Sequence, residues 1–201
     1  LATAPPLKHA SRVHFHAFTS EVMASISLYG YDAARPGEAR FARLRLDHPV
    51  VLVPGDHFVL RQPAPVATIG GGRVLDCHPK PRQRKADTFA CLEQLKKSSI
   101  SEQLALRVKR RGTAGISASA VARESGLTGE MAHHHLRSAI ETQVIVLLSG
   151  DLFVSREALQ SARSQVMTVL DRLARKSGMI KSSELRSQTA LEKAIFDFVV
   201  A

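Results

Sequence analysis

The hydrophobic pattern of this 201-residue chain changes once, at Pro79-Lys80-Pro81, and the change limits what each side can fold into. Before it, apolar residues alternate with polar ones at the period of two that is typical of half-buried strands. After it, apolar residues recur every three or four positions, as they do along amphipathic helices. We therefore expect an N-terminal domain built of strands and a mainly helical remainder.

The first 79 residues contain several short apolar runs with turn residues between them. The runs lie at residues 13–17, 22–28, 42–46, 50–53, 58–60 and 74–75. Turns such as Pro36-Gly37 and Pro54-Gly55 separate them, and this spacing predicts a small antiparallel β-barrel or sandwich. Gly70-Gly71-Gly72 fits neither a phosphate-loop nor a dinucleotide-binding pattern, so we interpret it as a bend or bulge between two strands.

The order of elements after residue 80 is typical of a winged helix. Helices over residues 80–112 lead to a short helix at 118–124, a tight turn, and a longer helix at 129–143 for which Thr128 is the expected N-cap. Two short strands, 144–148 and 151–155, complete the arrangement. Helical patterns resume from Val166 and stop at Ala201, which predicts a second winged-helix domain that ends before its wing. The expected domains are thus 1–79, 80–112, 113–160 and 161–201.

The positive charge is concentrated at the junction between barrel and helices. The formal net charge is +10, with 28 Lys and Arg against 18 Asp and Glu. Residues 80–112 hold ten Lys or Arg and three Asp or Glu, a net charge of +7. The cluster at residues 80–85 favours phosphate contact, whereas the one at 107–111 is equally well explained as a solvated helix end that interacts with the helix dipole.

Nothing in the sequence indicates an active site. The two cysteines, Cys77 and Cys91, form no C-x-x-C pair, and no nucleophile, base and acid stand in a recognisable pattern. His133, His134 and His135 are adjacent on a predicted helix and therefore point about 100° apart, which prevents them from binding one ion together. His14 and His16 share a strand face, but the sequence shows no third ligand, so we predict no metal site.

The length of the apolar runs excludes a membrane helix. The longest aliphatic run, Val144 to Leu148, is far shorter than the roughly 20 residues such a helix needs. The first residues lack the features of a signal peptide and an initiator Met. We expect a cytoplasmic chain, without membrane association, that is a piece of something longer.

Several runs of residues resemble the selenocysteine-specific translation elongation factors (SelB). In the barrel they are Arg12-Val13-His14-Phe15-His16 with Thr19 to Ala24, Gly55 to Arg61 with Pro63 and Pro65, and Thr68 to Asp76. In the second helical unit the segment Gly178 to Ser187 is similar to the family's G-M-P-K-E-E-L-R-S run. Phe18, where the family usually has Gly, departs from the pattern.

The resemblance implies an α+β multidomain chain, with a barrel similar to the third domain of elongation factor Tu followed by winged-helix domains. It implies a parent GTPase that delivers selenocysteinyl-tRNA to the ribosome at recoded UGA codons directed by an mRNA hairpin. GTP and Mg would belong to a G domain of the parent, so we expect this piece to be no enzyme and to need no cofactor. It would act as a monomer, contact tRNA with the barrel, and space the winged-helix arm toward mRNA-reading modules beyond Ala201.

Basic side chains are the expected RNA contacts. On the barrel they are Lys8, His14, His16, Arg43, Arg45, Arg61 and Arg73. In the helical part they are Arg82, Arg84, Lys85, Arg110 and Arg111. Two alternatives stay open: a dimeric winged-helix DNA-binding transcriptional regulator, since fold does not fix function, and a structural spacer with no RNA affinity of its own.

Overall fold

The computed structural model describes residues 4–79, 84–175 and 180–201. The chain divides into two compact units, Leu1–Lys97 and Ser98–Ala201. The first is a β-barrel-like sheet domain with one helix, and the second is helical with a small sheet. None of the helices in these described ranges is long and apolar enough to cross a membrane.

The N-terminal unit contains seven strands in the described residues. They are β1 (Leu7–Lys8), β2 (Arg12–Ala17), β3 (Ser20–Leu28), β4 (Ala33–Ala34), β5 (Ala42–Leu46), β6 (His57–Gln62) and β7 (Ala67–Arg73). Five form an antiparallel sheet in the order β5-β3-β2-β6-β7, and β1 pairs with β4. The predicted alternation is confirmed: Val13, Phe15 and Ala17 of β2 are buried in the core, and the residues between them face outward.

Two of the six predicted apolar runs do not form strands. Residues 50–53 lie between Pro49 and Pro54, and the Asp56 carboxylate accepts a hydrogen bond from the Val53 amide at 2.7 Å, which stabilises a turn. Val74 is held by backbone bonds to Gly55 and Asp56 beyond the end of β7. Proline and local turn chemistry therefore overrode the apolar pattern at 50–53.

The glycine run lies inside β7 and not between two strands, as its sequence had suggested. The pairing of β6 with β7 shifts by one residue between Leu60 and Arg61, so an irregularity falls beside the run. A Cβ on Gly71 would lie 2.4 Å from the Phe58 carbonyl oxygen, and one on Gly72 would lie 2.7 Å from the Phe58 ring. The glycines thus allow β7 to approach β6 closely.

Helix α1 (Lys85–Lys97) belongs to the N-terminal unit. Its Phe89 ring meets the ring of Phe41 edge to face at 5.3 Å between centroids, and Cys91 and Leu95 are buried. The Lys96 ammonium lies 5.9 Å from the centre of the Phe41 ring. Part of the basic stretch at 80–112 is therefore packed against the β-domain.

The second unit begins with a winged-helix arrangement. It consists of α2 (Ile100–Arg111), a short 3-10 helix (Gly112–Ala114), β8 (Ile116–Ser117), α3 (Ala118–Ser125), α4 (Gly129–Glu141), β9 (Ile145–Leu148) and β10 (Leu152–Ser155). The strands form one sheet in the order β8-β10-β9. Thr128 is the N-cap of α4, as expected: its hydroxyl accepts a hydrogen bond from the Met131 amide at 3.2 Å.

Three helices follow the hairpin and pack against its strands. They are α5 (Arg156–Ala174), α6 (Ser182–Thr189) and α7 (Lys193–Val200). Ile145 and Phe153 pack into the core beneath α2, α3 and α4, whereas Leu148 and Val154 pack into a second core with α5, α6 and α7. The hairpin is therefore the common wall of two hydrophobic cores.

We expect Gly71→Ala to destabilise the N-terminal unit by about 1–3 kcal/mol, because the new methyl group must push the β6 backbone away. Gly70→Ala is the matched control, since a Cβ at Gly70 meets nothing within 4 Å. Hydrogen exchange of the β6 and β7 amides would measure the difference. Equal protection in the two variants would contradict the steric role of the glycine run.

Candidate nucleic-acid interface

The outer face of the five-stranded sheet carries most of the predicted barrel contacts. Side chains of directly paired residues project to the same face of a sheet. Ser25 of β3 pairs with both Arg12 and Arg45, and His14 pairs with Arg61. The same registers place four further side chains on this face: His16, Arg43, His57 and Arg73. One sheet face thus brings together cations from β2, β5, β6 and β7.

Carboxylates neutralise only part of this outer face. The Arg12 guanidinium donates two hydrogen bonds to Asp47, one of them 3.0 Å long. These bonds hold the pKa of the Asp47 carboxyl below its ordinary value and raise the pKa of Arg12. Within the described residues no ion pair engages four other arginines of the face: Arg43, Arg45, Arg61 and Arg73.

Arg61 lies on β6, next to the edge strand of the sheet. Its β6 backbone lies between β2 and β7, and its side chain is half-buried. The Nε atom is buried and makes no hydrogen bond among the described residues. Because no ion pair engages this guanidinium within the described residues, it retains donors that an incoming anion could satisfy.

Glu21 joins the two predicted histidines on the outer face. The two-residue turn between β2 and β3 sets Glu21 directly opposite His16. One carboxylate oxygen of Glu21 lies 2.8 Å from Nδ1 of His14 and 3.8 Å from Nε2 of His16. Sequence reasoning missed Glu21, although counting the register back from a two-residue turn could have found it.

The remaining barrel and linker contacts are scattered. Lys8 is exposed on β1, outside the five-stranded sheet. Arg84 is 86% exposed and donates a 2.8 Å hydrogen bond to Asp87, which raises its pKa, and Lys85 beside it is exposed. Arg82 lies outside the described residues.

Two basic side chains at the C-terminal end of α2 form ion pairs with carboxylates of the second unit. Arg111 forms an ion pair with Glu124 of α3, whose side chain is only 8% exposed. Lys109 pairs with the exposed Glu157 of α5 at 2.7 Å, and Arg110 is half-buried. This arrangement gives Arg111 a role in stabilising the second unit.

The three adjacent histidines of α4 have different surroundings, although the rings of His134 and His135 meet edge to face at 5.6 Å between centroids. His133 lies 3.4 Å from an Asp151 oxygen and packs on Phe153, whereas His134 is exposed. His135 lies 3.4 Å from the Ser101 hydroxyl. The structure agrees with the expectation that adjacent helical imidazoles do not converge.

Comparison with known proteins assigns the N-terminal domain. The family model for the selenocysteine-specific elongation factor β-barrel domain matches residues 1–81. A selenocysteine-specific elongation factor from Desulfomicrobium baculatum is 29% identical over 117 residues, which are 58% of this chain and 18% of that protein. The crystal structure of a bacterial selenocysteine-specific elongation factor superposes on 96% of this chain with a TM-score of 0.71 and 17% identity, and the match covers 30% of that structure.

The fold is thus that of a β-barrel domain followed by an α+β winged-helix region. Residues 1–81 are similar to the β-barrel domain of the selenocysteine-specific elongation factors, and the chain spans less than a third of the length of the relatives it matches. The matching family model describes the β-barrel domain and not a GTPase domain.

We expect Arg111→Met to destabilise the second unit by about 1–3 kcal/mol, because it leaves the buried Glu124 carboxylate without its partner. The matched control is Lys109→Met, for which we expect at most about 0.5 kcal/mol, since both groups of that pair are exposed. The free energy of unfolding in urea, or hydrogen exchange of the α3 amides, would compare the two variants. An effect of Lys109→Met as large as that of Arg111→Met would contradict this role for Arg111.

Proposed function

We propose that this chain is the tRNA-facing and spacer part of a GTP-dependent factor that delivers selenocysteinyl-tRNA to the ribosome at recoded UGA codons. The β-domain contacts the tRNA through the outer face of its sheet. The observation that carries the proposal is the group of outward arginines on that face, for which the described part of the chain supplies no carboxylate partner. The similarity of the barrel domain to elongation factors supports tRNA as the class of RNA, and the relatives' names support selenocysteine.

The chemistry of the face suits a phosphate backbone. Arg43 and Arg45 stand two positions apart on β5, so their guanidinium groups point the same way about 7 Å apart at the backbone. A guanidinium can donate two parallel hydrogen bonds to one phosphate, which favours Arg over Lys for such contacts. RNA would be held here by backbone shape and charge, and not by base sequence.

The second unit has the spacer role in this proposal. It carries the chain toward mRNA-reading modules that follow residue 201 in the parent, and residues 161–201 begin a second winged-helix domain. Arg84 and Lys85, which are exposed where α1 begins, add phosphate contacts. The parent acts as a monomer in the cytoplasm and binds GTP and Mg in a separate G domain, so this chain alone hydrolyses no GTP.

Charge reversal on β5 tests the tRNA contact. We expect the double variant Arg43→Glu, Arg45→Glu to weaken binding of labelled selenocysteine tRNA at least tenfold and to reduce the slope of log affinity against log salt by about 0.7–0.9 for each lost phosphate contact. The matched control reverses two exposed arginines of the second unit, Arg163 and Arg186, with the same change in net charge. Equal losses in both variants would show that only total charge matters and would contradict the proposal.

The same binding assay also tests which nucleic acid the chain prefers. Binding of an ordinary elongator tRNA and of a duplex DNA is measured at two salt concentrations and compared with binding of selenocysteine tRNA. Absence of RNA binding at low salt would leave the spacer role, and a preference for duplex DNA by a dimeric chain would favour a DNA-binding regulator.

Charge reversal at the start of α1 tests the linker contact separately. We expect Arg84→Glu with Lys85→Glu to flatten the salt dependence of tRNA binding, because both side chains are exposed. An unchanged slope, with binding intact, would remove this segment from the interface.

A further inference from the structure

We propose that His14, His16 and Glu21 bind a divalent transition-metal ion, with zinc as the first candidate, on the outer face of the N-terminal sheet. Two imidazoles and a carboxylate are a ligand set that suits zinc and its neighbours in the first transition row. Their ligand atoms all lie within 4.8 Å of one another. This inference does not depend on the proposed RNA contact.

The carboxylate–imidazole distances are close to the spacing between ligands of a single ion. Ligand atoms about 2.0–2.1 Å from a tetrahedral zinc ion lie about 3.3 Å apart. The Glu21 oxygen lies 2.8 Å from one imidazole nitrogen and 3.8 Å from the other, so the two values fall on either side of that spacing. A hydrogen bond explains the first contact, but 3.8 Å is too long for one, and the His16 nitrogen therefore faces the shared oxygen without bonding to it.

The backbone holds the three ligands in place before any ion binds. His14 and His16 lie two residues apart on β2, which is paired on both sides by β3 and β6. The β2–β3 register fixes Glu21 opposite His16. The histidine rings stack with an angle of 29° between their planes and a centroid distance of 6.2 Å. All three side chains remain partly exposed, which gives an ion access from solvent.

Three protein ligands leave one position of a tetrahedral ion open to water. Arg61 lies across from His14 on β6, and its charge opposes that of the ion. The Glu21 carboxylate offsets part of this repulsion. A bound ion would be coordinated by the two imidazoles and Glu21. Because no arginine is a ligand, the arginines of the face would still be available to bind phosphate.

Cobalt(II) is the probe, because its d–d absorption is intense only when the ion is four-coordinate. We expect the full chain to take up one Co²⁺ with a tetrahedral spectrum, and Zn²⁺ to displace it. His14→Asn, His16→Asn and Glu21→Gln should each weaken Zn²⁺ at least tenfold, whereas His48→Asn, which removes an exposed histidine of the same domain, should leave it unchanged. Circular dichroism would show that each variant is folded.

Two further variants separate this site from the other histidines. Arg61→Met should tighten Zn²⁺ several-fold, because it removes a nearby positive charge, whereas a site elsewhere would not respond. His133→Asn with His134→Asn should have no effect. Loss of the cobalt spectrum in that helix variant, its retention in His14→Asn, or an unchanged affinity in Arg61→Met would each overturn the proposal.

Discussion

The outer face of the N-terminal sheet depends on the antiparallel register between β2 and β3. Strand side chains alternate between two faces, so a slip of one residue would exchange the core for the basic face. The turn after Ala17 fixes this register by pairing Ala17 with Ser20, and from there every residue of β2 has a determined neighbour. Burial of Phe15 and Ala24 on one face makes any other register costly. The position of His14 and His16 is therefore a consequence of the core.

The sheet and the winged helix could be predicted because their signals are local. Period-two alternation located β2, β3 and β5, a short apolar run located β6, and turn and capping residues located α3 and α4. What could not be predicted depends on which particular side chains meet in the folded chain, whether they are near or far apart in sequence. Arg111 looks like a free basic residue until α3 brings the buried Glu124 against it. Residues 50–53 look like a strand until the Asp56 side chain takes the Val53 amide.

The basic residues divide into two groups, and a count of Lys and Arg in the sequence does not distinguish them. One group is bound to carboxylates, as in Arg12 with Asp47 and Arg111 with Glu124, and it stabilises the two units. The other is collected on the outer sheet face by strand pairing alone. Net charge pointed to residues 80–112, yet part of that stretch is engaged within the fold. Partner geometry therefore separates the arginines that have carboxylate partners among the described residues from those that do not, which local charge density does not do.

The β9–β10 hairpin couples the two hydrophobic cores of the second unit, because its side chains belong to both. Phe153 and Val154 are adjacent in β10 but belong to opposite cores, so neither core can move away from the hairpin without exposing a large apolar side chain to water. Ser155 then caps α5 directly from the end of β10, with no intervening linker. A displacement of α7 would therefore have to move the hairpin, and with it the apolar side chains that pack beneath α4.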